Sequence, residues 1–185
     1  MQKQITLDER ELEIADIVGT KRFQENRKRN RTMSWNLKKM KDASRDIQGC
    51  AGELAFDKWC QEHEIEYIPD WENTQCRSAM EDEGDGKVFI NRQAYSVEVK
   101  TTSVKDPHLI VPEYQMKNPK DIYVLIRRTS DTKFKIMGFT VPEELEDYYD
   151  CDCVHTTNTC YRMHHRHLAQ DWEDFIKLFS NDDDE

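Results

Sequence analysis

The sequence predicts a single α/β domain, because helical and strand-like spacings both occur within one chain of 185 residues. Apolar residues recur at helical spacing across residues 46–63, which predicts a helix. Residues 96–102 (SVEVKTT) alternate between apolar and polar side chains, as a strand with one polar face does. Residues 121–127 (DIYVLIR) form a nearly continuous apolar run, which is typical of a central buried strand. A chain of this length can bury the core that such a domain needs.

The first 45 residues differ in charge from the rest of the chain. They contain 12 Lys and Arg against 7 Asp and Glu, whereas the whole chain carries a formal net charge of -10. Thr6 and Glu9 have the spacing of a capping box, which predicts a first helix that reaches about Gly19 or beyond. The sequence therefore predicts a basic helical arm in front of an acidic body.

The basic residues that follow this helix are candidates for binding nucleic acid. Contacts to phosphates supply most of the sequence-independent affinity for nucleic acid, so a local excess of positive charge indicates such a partner. The alternative is a solvated arm whose charge only aids solubility. The candidate nucleic-acid-binding residues are Arg27, Lys28, Arg29, Arg31, Lys38 and Lys39.

A polar strand face carries the candidate catalytic residues. In a strand, Glu98 and Lys100 project from the same face, roughly 7 Å apart. Asp85 ends the preceding polar loop, and a hairpin between residues 87–90 and the following strand would bring it beside Glu98. Such a hard-oxygen site suits Mg²⁺ or Mn²⁺. Asp82 remains an alternative to Asp85, since both lie in the acidic run EDEGDG at residues 81–86.

Two glycines interrupt the predicted helix at residues 46–63. Gly49 and Gly52 each cost up to ~1 kcal/mol relative to alanine, so a packing or functional reason is expected. Close approach of the helix to the sheet would supply that reason. It could also bring Glu53 toward Asp85 and Glu98 as a third acid. The alternative is an exposed helical glutamate.

These motifs occur in the order of a known superfamily. Asp85 followed by Glu98-Val99-Lys100 resembles the D…(D/E)-x-K motif of the PD-(D/E)XK, or restriction-endonuclease-like, nucleases. Residues 49–53 (GCAGE) resemble the G-x-x-G-E helix that precedes the core sheet in phage-type and exonuclease-type members. The resemblance covers about residues 47–125. It implies a mixed central sheet flanked by helices. Gln115 falls where several exonuclease-like relatives carry a glutamine near the site.

The resemblance also implies a reaction and a role for each residue. Asp85, Glu98 and Glu53 would hold one or two Mg²⁺ (or Mn²⁺) ions, with the backbone carbonyl of Val99 completing the coordination. Lys100 would orient or help deprotonate the attacking water. The expected enzyme is a metal-dependent nuclease that hydrolyses phosphodiester bonds, with DNA favoured as its substrate and endonuclease or exonuclease action left open. The alternative on the same fold is a catalytically inactive nucleic-acid-binding protein.

A second alternative comes from the C-terminal cysteines and histidines. Several residues of types that zinc accepts lie close together in this part of the sequence, which would suit a zinc-stabilised interaction protein: Cys151, Cys153, Cys160, His164, His165 and His167, with His155 nearby. Their spacing does not follow the C-x₂-C or H-x₃₋₅-H patterns. Free thiols are expected for the six cysteines in a reducing compartment.

The expected organisation is a basic arm at residues 1–45, a nuclease core at 46–180 and a disordered acidic tail at 181–185. The sequence has no run of 18 or more apolar residues, and its N-terminus lacks an apolar segment. We therefore expect a cytoplasmic protein without a membrane partner.

Overall fold

The computed structural model describes residues 4–29, 43–73, 83–151 and 159–179. A mixed sheet lies at its centre, and its strands are β1 (Gln4–Thr6), β2 (Tyr67–Pro69), β3 (Gly86–Ile90), β4 (Gln93–Thr102), β6 (Ile122–Arg128) and β7 (Lys133–Thr140). A smaller sheet contains β5 (His108–Pro112), β8 (Tyr149–Asp150) and β9 (Cys160–His164). The helices are α1 (Glu9–Arg29), α2 (Ser44–Glu62), α3 (Pro142–Leu145) and α4 (Trp172–Phe175). The predicted α/β class is confirmed.

The central sheet has the strand order β1-β7-β6-β4-β3-β2, and the second sheet has the order β5-β9-β8. Strand β6 pairs in parallel with β4 and antiparallel with β7. Its alternate residues enter two different hydrophobic clusters: Val124 packs with the helices α1 and α2, and Leu125 packs with the second sheet. The strand is therefore buried on both faces, as its apolar run predicts.

The N-terminal segment is built into the core. Strand β1 pairs with β7, and Ile5 and Ala15 are both buried. Helix α1 packs so closely on α2 that a Cβ at Gly19 would lie 2.5 Å from the Cα of Ile47. The described residues of the predicted arm are thus part of the packed domain.

The cap of α1 differs from the expected one. Asp8 and Glu11 form the reciprocal pair: the Glu11 N–H donates to Asp8 Oδ1 (2.8 Å), and the Asp8 N–H donates to Glu11 Oε2 (2.6 Å). The predicted capping box of Thr6 and Glu9 is wrong, because Thr6 is the last residue of strand β1. A capping box pairs two residues that are three positions apart, and both Thr6 with Glu9 and Asp8 with Glu11 have this spacing.

The two glycines of α2 have different surroundings. A Cβ at Gly52 would lie 1.8 Å from Thr101 Oγ1, so this glycine permits the close approach of α2 to β4 that the sequence predicts. At Gly49 no described atom lies within 4 Å of the added Cβ. The expected close approach of the helix to the sheet is therefore confirmed at Gly52, whereas the described residues give no packing reason for Gly49.

The predicted hairpin is confirmed. Strands β3 and β4 are antiparallel, with Gly86 opposite Val97. Asn91 (φ 51°) and Arg92 (φ 67°) form a two-residue turn whose left-handed backbone matches the twist of paired strands.

The C-terminal part supplies the second sheet and two short helical segments. Residues 108–112 form a strand of the second sheet. The apolar residues between Leu168 and Phe179 do not form one helix: the four-residue helix α4 is followed by a 3-10 turn at Ile176–Phe179, and Leu168 lies outside both. The predicted acidic tail at 181–185 lies outside the described residues. Across the described ranges, none of the helices combines the length and apolar character needed to cross a membrane.

Candidate active site

The hairpin brings Asp85 to Glu98. Because Gly86 pairs with Val97, the next step of the same register places Asp85 across from Glu98. The Asp85 N–H donates to the Val97 carbonyl oxygen (2.7 Å), and the Val99 N–H donates to Asp85 Oδ2 (2.7 Å). Both the backbone and the carboxylate of Asp85 are therefore fixed on β4.

The other side of Asp85 is held by β2 and the turn after it. Tyr67 Oη donates to the Asp85 carbonyl oxygen (3.0 Å), and the Asp70 N–H donates to the same oxygen (2.9 Å). Burial raises the pKa of Tyr67, so the phenol remains a neutral donor. A Cβ at Gly86 would lie 2.4 Å from Tyr67 Oη, so only glycine leaves room for this contact.

Lys100 lies between an acid and an amide. Its Nζ donates to Glu98 Oε1 (2.5 Å) and to Gln115 Oε1 (3.0 Å). Gln115 belongs to a 3-10 turn at Glu113–Lys117. Burial alone would lower the pKa of Lys100, but the charge and hydrogen bond of Glu98, together with Asp85, raise it. The Lys100 side chain is thus a charged ammonium group held in place by two hydrogen bonds. It can orient a bound molecule and offset nearby negative charge.

Glu53 is buried and fully paired. Its side chain is only 5% exposed, and Arg22 from α1 donates to both carboxylate oxygens, Nη1 to Oε1 at 2.5 Å and Nη2 to Oε2 at 2.8 Å. Arg22 also donates to the carbonyl oxygens of Trp71 (2.9 Å) and Asn73 (3.0 Å). The alternative of an exposed glutamate is therefore wrong.

Arg22 belongs to the site but is not among the residues predicted from the sequence. It lies in the basic segment at residues 21–31, whose other basic residues include predicted phosphate contacts. A signal was nevertheless present, because Arg22 follows the buried residues Ala15 and Val18 by seven and four positions. On a helix these positions share one face, so Arg22 lies on the side of α1 that faces the core.

The acids of the site interact unfavourably with one another. Burial raises the pKa of Asp85 well above its usual value, and the charges of Glu53 and Glu98 raise it further. Burial also raises the pKa of Glu53, although Arg22 opposes this shift, and Glu98 and Asp70 add to it. The carboxylates therefore share a poorly solvated region in which a positive charge is favoured.

The three acids of the site are not arranged as a complete set of metal ligands. The carboxylates of Glu53, Asp85 and Glu98 do not form a group of three ligand atoms that all lie within 4.8 Å of one another. Each acid instead has its own partner: Glu53 contacts Arg22, Glu98 contacts Lys100, and Asp85 accepts from a backbone N–H. The coordinating role of the Val99 carbonyl oxygen stays a prediction.

The basic residues expected to bind nucleic acid are only partly described. Arg27 and Lys28 are exposed near the end of α1, where Lys28 pairs with Glu25 (2.5 Å) and the Arg27 guanidinium lies 5.3 Å from the Phe23 ring centroid. Arg29 is the last residue of α1. Four predicted site residues lie outside the described ranges: Arg31, Lys38, Lys39 and the alternative ligand Asp82.

The cysteine-rich zinc cluster does not assemble as expected. Cys160 is buried and disulfide-bonded, so it offers no thiolate to a metal. The expectation of free thiols is therefore wrong at Cys160, whereas Cys50, Cys60 and Cys151 are free. Cys153 lies outside the described ranges.

The described residues define a mixed α/β protein with a cluster of carboxylates and a lysine at its central hairpin. Residues 2–134 match a family of unknown function, DUF5843. This match spans most of the chain, so the protein belongs to that family, and the matched part includes Arg22, Glu53, Asp85, Glu98 and Lys100. No curated protein and no solved structure matches the chain significantly.

Proposed function

We propose that the protein is a metal-dependent nuclease with a restriction-endonuclease-like fold, which hydrolyses phosphodiester bonds in nucleic acid, with DNA as the favoured substrate. The observation that carries this proposal is the placement of Asp85 across from Glu98, with Lys100 two residues further along the same strand. The D…(D/E)-x-K motif requires this juxtaposition. Helix α2, with the buried Glu53, precedes the hairpin of β3 and β4 in the chain, and the resemblance implies such a helix before the motif.

The donor set fits a hard divalent cation. Asp85 and Glu98 supply carboxylate oxygens, the ligands that Mg²⁺ and Mn²⁺ prefer, and the Val99 carbonyl lies between them in sequence. Repulsion among Asp85, Glu98 and Glu53 is part of the reason that the pKa of Asp85 is raised, and a bound cation would relieve it. When bound, the ion would polarise the phosphoryl group and lower the pKa of a coordinated water.

The chain's own residues position the reacting groups. Gln115 and Glu98 aim the Lys100 ammonium, which can orient the attacking water and offset the charge that develops on the phosphate. Arg22 acts one step further away, since it joins Glu53 to the segment at residues 70–73. That segment supports Asp85 through the Asp70 N–H.

Helix α1 supports nucleic acid as the substrate class. The same helix that carries Arg22 into the site presents Arg27 and Lys28 to solvent at its C-terminal end. The sequence between residues 20 and 45 contains ten Lys and Arg against two acids. In an otherwise acidic chain, this local positive charge would attract the phosphate backbone toward the site.

A second candidate function is nucleic-acid binding without cleavage on the same fold. Two observations favour it. Both oxygens of Glu53 are occupied by Arg22, and Glu53, Asp85 and Glu98 do not converge within 4.8 Å. A protein that had lost catalysis could keep this ion pair for stability alone.

A cleavage assay separates the two functions. Single-stranded, duplex and branched DNA, and RNA, are incubated with Mg²⁺, Mn²⁺ or EDTA. We expect metal-dependent cleavage that Glu98→Gln, Asp85→Asn and Lys100→Ala each abolish without unfolding the protein. Lys87→Ala is the control, because Lys87 is an exposed lysine of the neighbouring strand β3.

Each outcome of this assay is informative. Full activity in Lys100→Ala would contradict the mechanism. Activity that is lost in Glu98→Gln but retained in Asp85→Asn would indicate that the metal ligand is Asp82 and not Asp85. Binding of nucleic acid without cleavage under any metal condition would favour the second candidate.

A further inference from the structure

Asp106, His164 and His165 form a separate cluster beyond the end of β4. The Nε2 atoms of His164 and His165 lie 3.0 Å and 3.1 Å from the same oxygen, Asp106 Oδ1. Within the described ranges, one ligand atom from each of these three residues lies within 4.8 Å of the other two. The histidine side chains are about one-fifth exposed, so solvent reaches the cluster.

The backbone explains why two neighbouring histidines face one point. Strand β9 ends at His164, and a 3-10 turn begins at His165. In a continuing strand, adjacent side chains would project from opposite faces. The change from strand to turn brings both imidazoles to the same side, with ring centroids 4.6 Å apart.

The segments that carry these side chains are fixed to each other. The His165 N–H donates to the Pro107 carbonyl oxygen (3.1 Å), directly after Asp106. His164 pairs with His108 where β5 and β9 meet, and Arg127 donates to the Lys105 carbonyl oxygen (2.7 Å). The cluster is therefore built by the fold on both sides, and little ordering of the backbone would be needed to bind a ligand.

We propose that Asp106, His164 and His165 bind a divalent transition-metal ion, with zinc as the best fit. Two imidazole nitrogens and one carboxylate oxygen are accepted zinc ligands, and a water would complete a tetrahedron. Tetrahedral zinc with bonds of about 2.0–2.1 Å places its ligand atoms roughly 3.3 Å apart, close to the two observed distances from the histidine nitrogens to Asp106 Oδ1. The imidazoles distinguish this site from the all-oxygen site at Asp85 and Glu98, which suits Mg²⁺.

One existing hydrogen bond competes with the metal. The Arg166 N–H donates to His164 Nδ1 (3.2 Å), which places the imidazole hydrogen on Nε2, facing Asp106. To bind the ion through Nε2, His164 must move that hydrogen to Nδ1 and give up the bond from Arg166. A single long hydrogen bond at an exposed position is weak compared with a zinc–imidazole bond, so the metal is expected to prevail.

The bound ion would act as a structural clamp. Asp106 lies in the link that follows β4, the strand of Glu98 and Lys100, whereas His164 ends β9 of the second sheet. A metal bound to both segments would fasten the second sheet to the end of the strand that carries the candidate catalytic residues. The inference does not depend on nuclease activity, because its ligands and its metal are different.

Cobalt binding tests the proposal on the full chain after its metals have been removed with EDTA. Co²⁺ reports tetrahedral coordination by visible absorption, and Zn²⁺ should displace it. We expect one tetrahedrally coordinated equivalent in the wild type and a loss of at least about tenfold in its affinity in Asp106→Asn and His165→Asn. His167→Asn is the matched control, since this exposed neighbouring histidine is not one of the three ligands.

The same variants are then heated with and without Zn²⁺. Zn²⁺ should raise the melting temperature of the wild type and of His167→Asn, following ln(1 + [Zn²⁺]/Kd), and should leave Asp106→Asn unchanged. Circular dichroism confirms that each variant is folded. Equal Co²⁺ binding by all variants, or binding that only Cys151→Ser removes, would overturn the proposal and indicate an adventitious ion or another site.

Discussion

Replacing Arg22 with methionine tests whether α1 holds the candidate active site together. Methionine keeps an unbranched apolar stem but removes the guanidinium. Both oxygens of Glu53 then lose their donors, and the carbonyl oxygens of Trp71 and Asn73 lose theirs. We expect a folded but less stable protein, because an acid in a poorly solvated place is left without its cation.

The expected size of this stability loss follows from the burial of the ion pair between Arg22 and Glu53. Removing one partner of a buried ion pair costs about 3–5 kcal/mol. The Arg22 side chain is 19% exposed and that of Glu53 is 5% exposed, so water partly replaces the guanidinium as a donor. Glu53 can also take up a proton. We therefore expect the lower end, about 3 kcal/mol, which corresponds to a fall in melting temperature of about 6–12 °C for a chain of this size.

The loss of stability caused by Arg22→Met should be larger at high pH than at low pH. Burial raises the pKa of Glu53 in the folded protein and Arg22 opposes that shift, so the variant should have a higher Glu53 pKa than the wild type. A raised folded-state pKa gives stability that is fully present below the unfolded value of about 4.3 and is lost as the pH rises through the folded value. The variant should thus lose more stability, relative to wild type, at pH 8 than at pH 5.

Urea unfolding followed by circular dichroism at both pH values measures this deficit. Lys21→Met is the matched control, because Lys21 is the exposed neighbour of Arg22 on α1. A change below about 0.5 kcal/mol, the range of ordinary surface substitutions, would refute the structural role of the pair. A deficit of equal size at pH 5 and pH 8 would show that the charge of Glu53 is not its cause.

Three further predictions concern other parts of the protein. Asp85→Asn should raise the melting temperature at pH 7 to 8 and abolish any stabilisation by Mg²⁺. Because folding raises the pKa of Asp85, the wild type loses stability as the pH rises above the unfolded pKa, whereas the amide does not titrate and can still accept from the backbone. Gly52→Ala should destabilise the protein by about 1–3 kcal/mol through a clash with β4, whereas Gly49→Ala should stabilise it by up to ~1 kcal/mol through helix propensity. Replacing Arg27 and Lys28 with glutamine should reduce the log–log salt slope of nucleic-acid binding by about 0.7–0.9 for each phosphate that the variant no longer neutralises.

These three predictions have separate controls. Thermal melting of Asp16→Asn, an exposed acid on α1 outside the site, controls for the general effect of removing one negative charge. The two glycine variants control for each other, and equal effects on stability would contradict the close approach of α2 to β4. Lys177→Gln, at an exposed position far along the chain, controls for the salt slope. An unchanged slope in the Arg27 and Lys28 variant would mean that α1 does not contact phosphates.

The sequence predicts the parts of the site that depend on local pattern. Alternation along β4 places Glu98 and Lys100 on one face, and the hairpin then brings Asp85 to them. Gly52 is informative because a glycine lowers the stability of a helix, so its presence suggests a close neighbour, although the sequence does not identify Thr101 as that neighbour. For the strand and the hairpin, the neighbours that matter are close in the chain or follow from the period of the strand.

The remaining features depend on contacts between distant segments. Arg22 lies 31 residues from Glu53 and 51 residues from Asn73, and it belongs to the basic segment at residues 21–31, so composition gives no reason to separate it from the other basic residues there. The segment 108–112 has a strand pattern, but nothing local identifies β9 as its partner. Asp106 and His164 are 58 residues apart, and they meet only because β5 and β9 pair.

The central sheet has long strands inside and short strands at both margins. Strand β4 has ten residues, whereas β1 and β2 have three each and form the two outer positions. Strand β2 also ends in Pro69, which has no N–H to donate. A long, regular outer strand would offer a template on which another chain could add, and short or proline-terminated strands do not. The described edges of the central sheet should therefore disfavour the edge-to-edge addition of a strand from another chain.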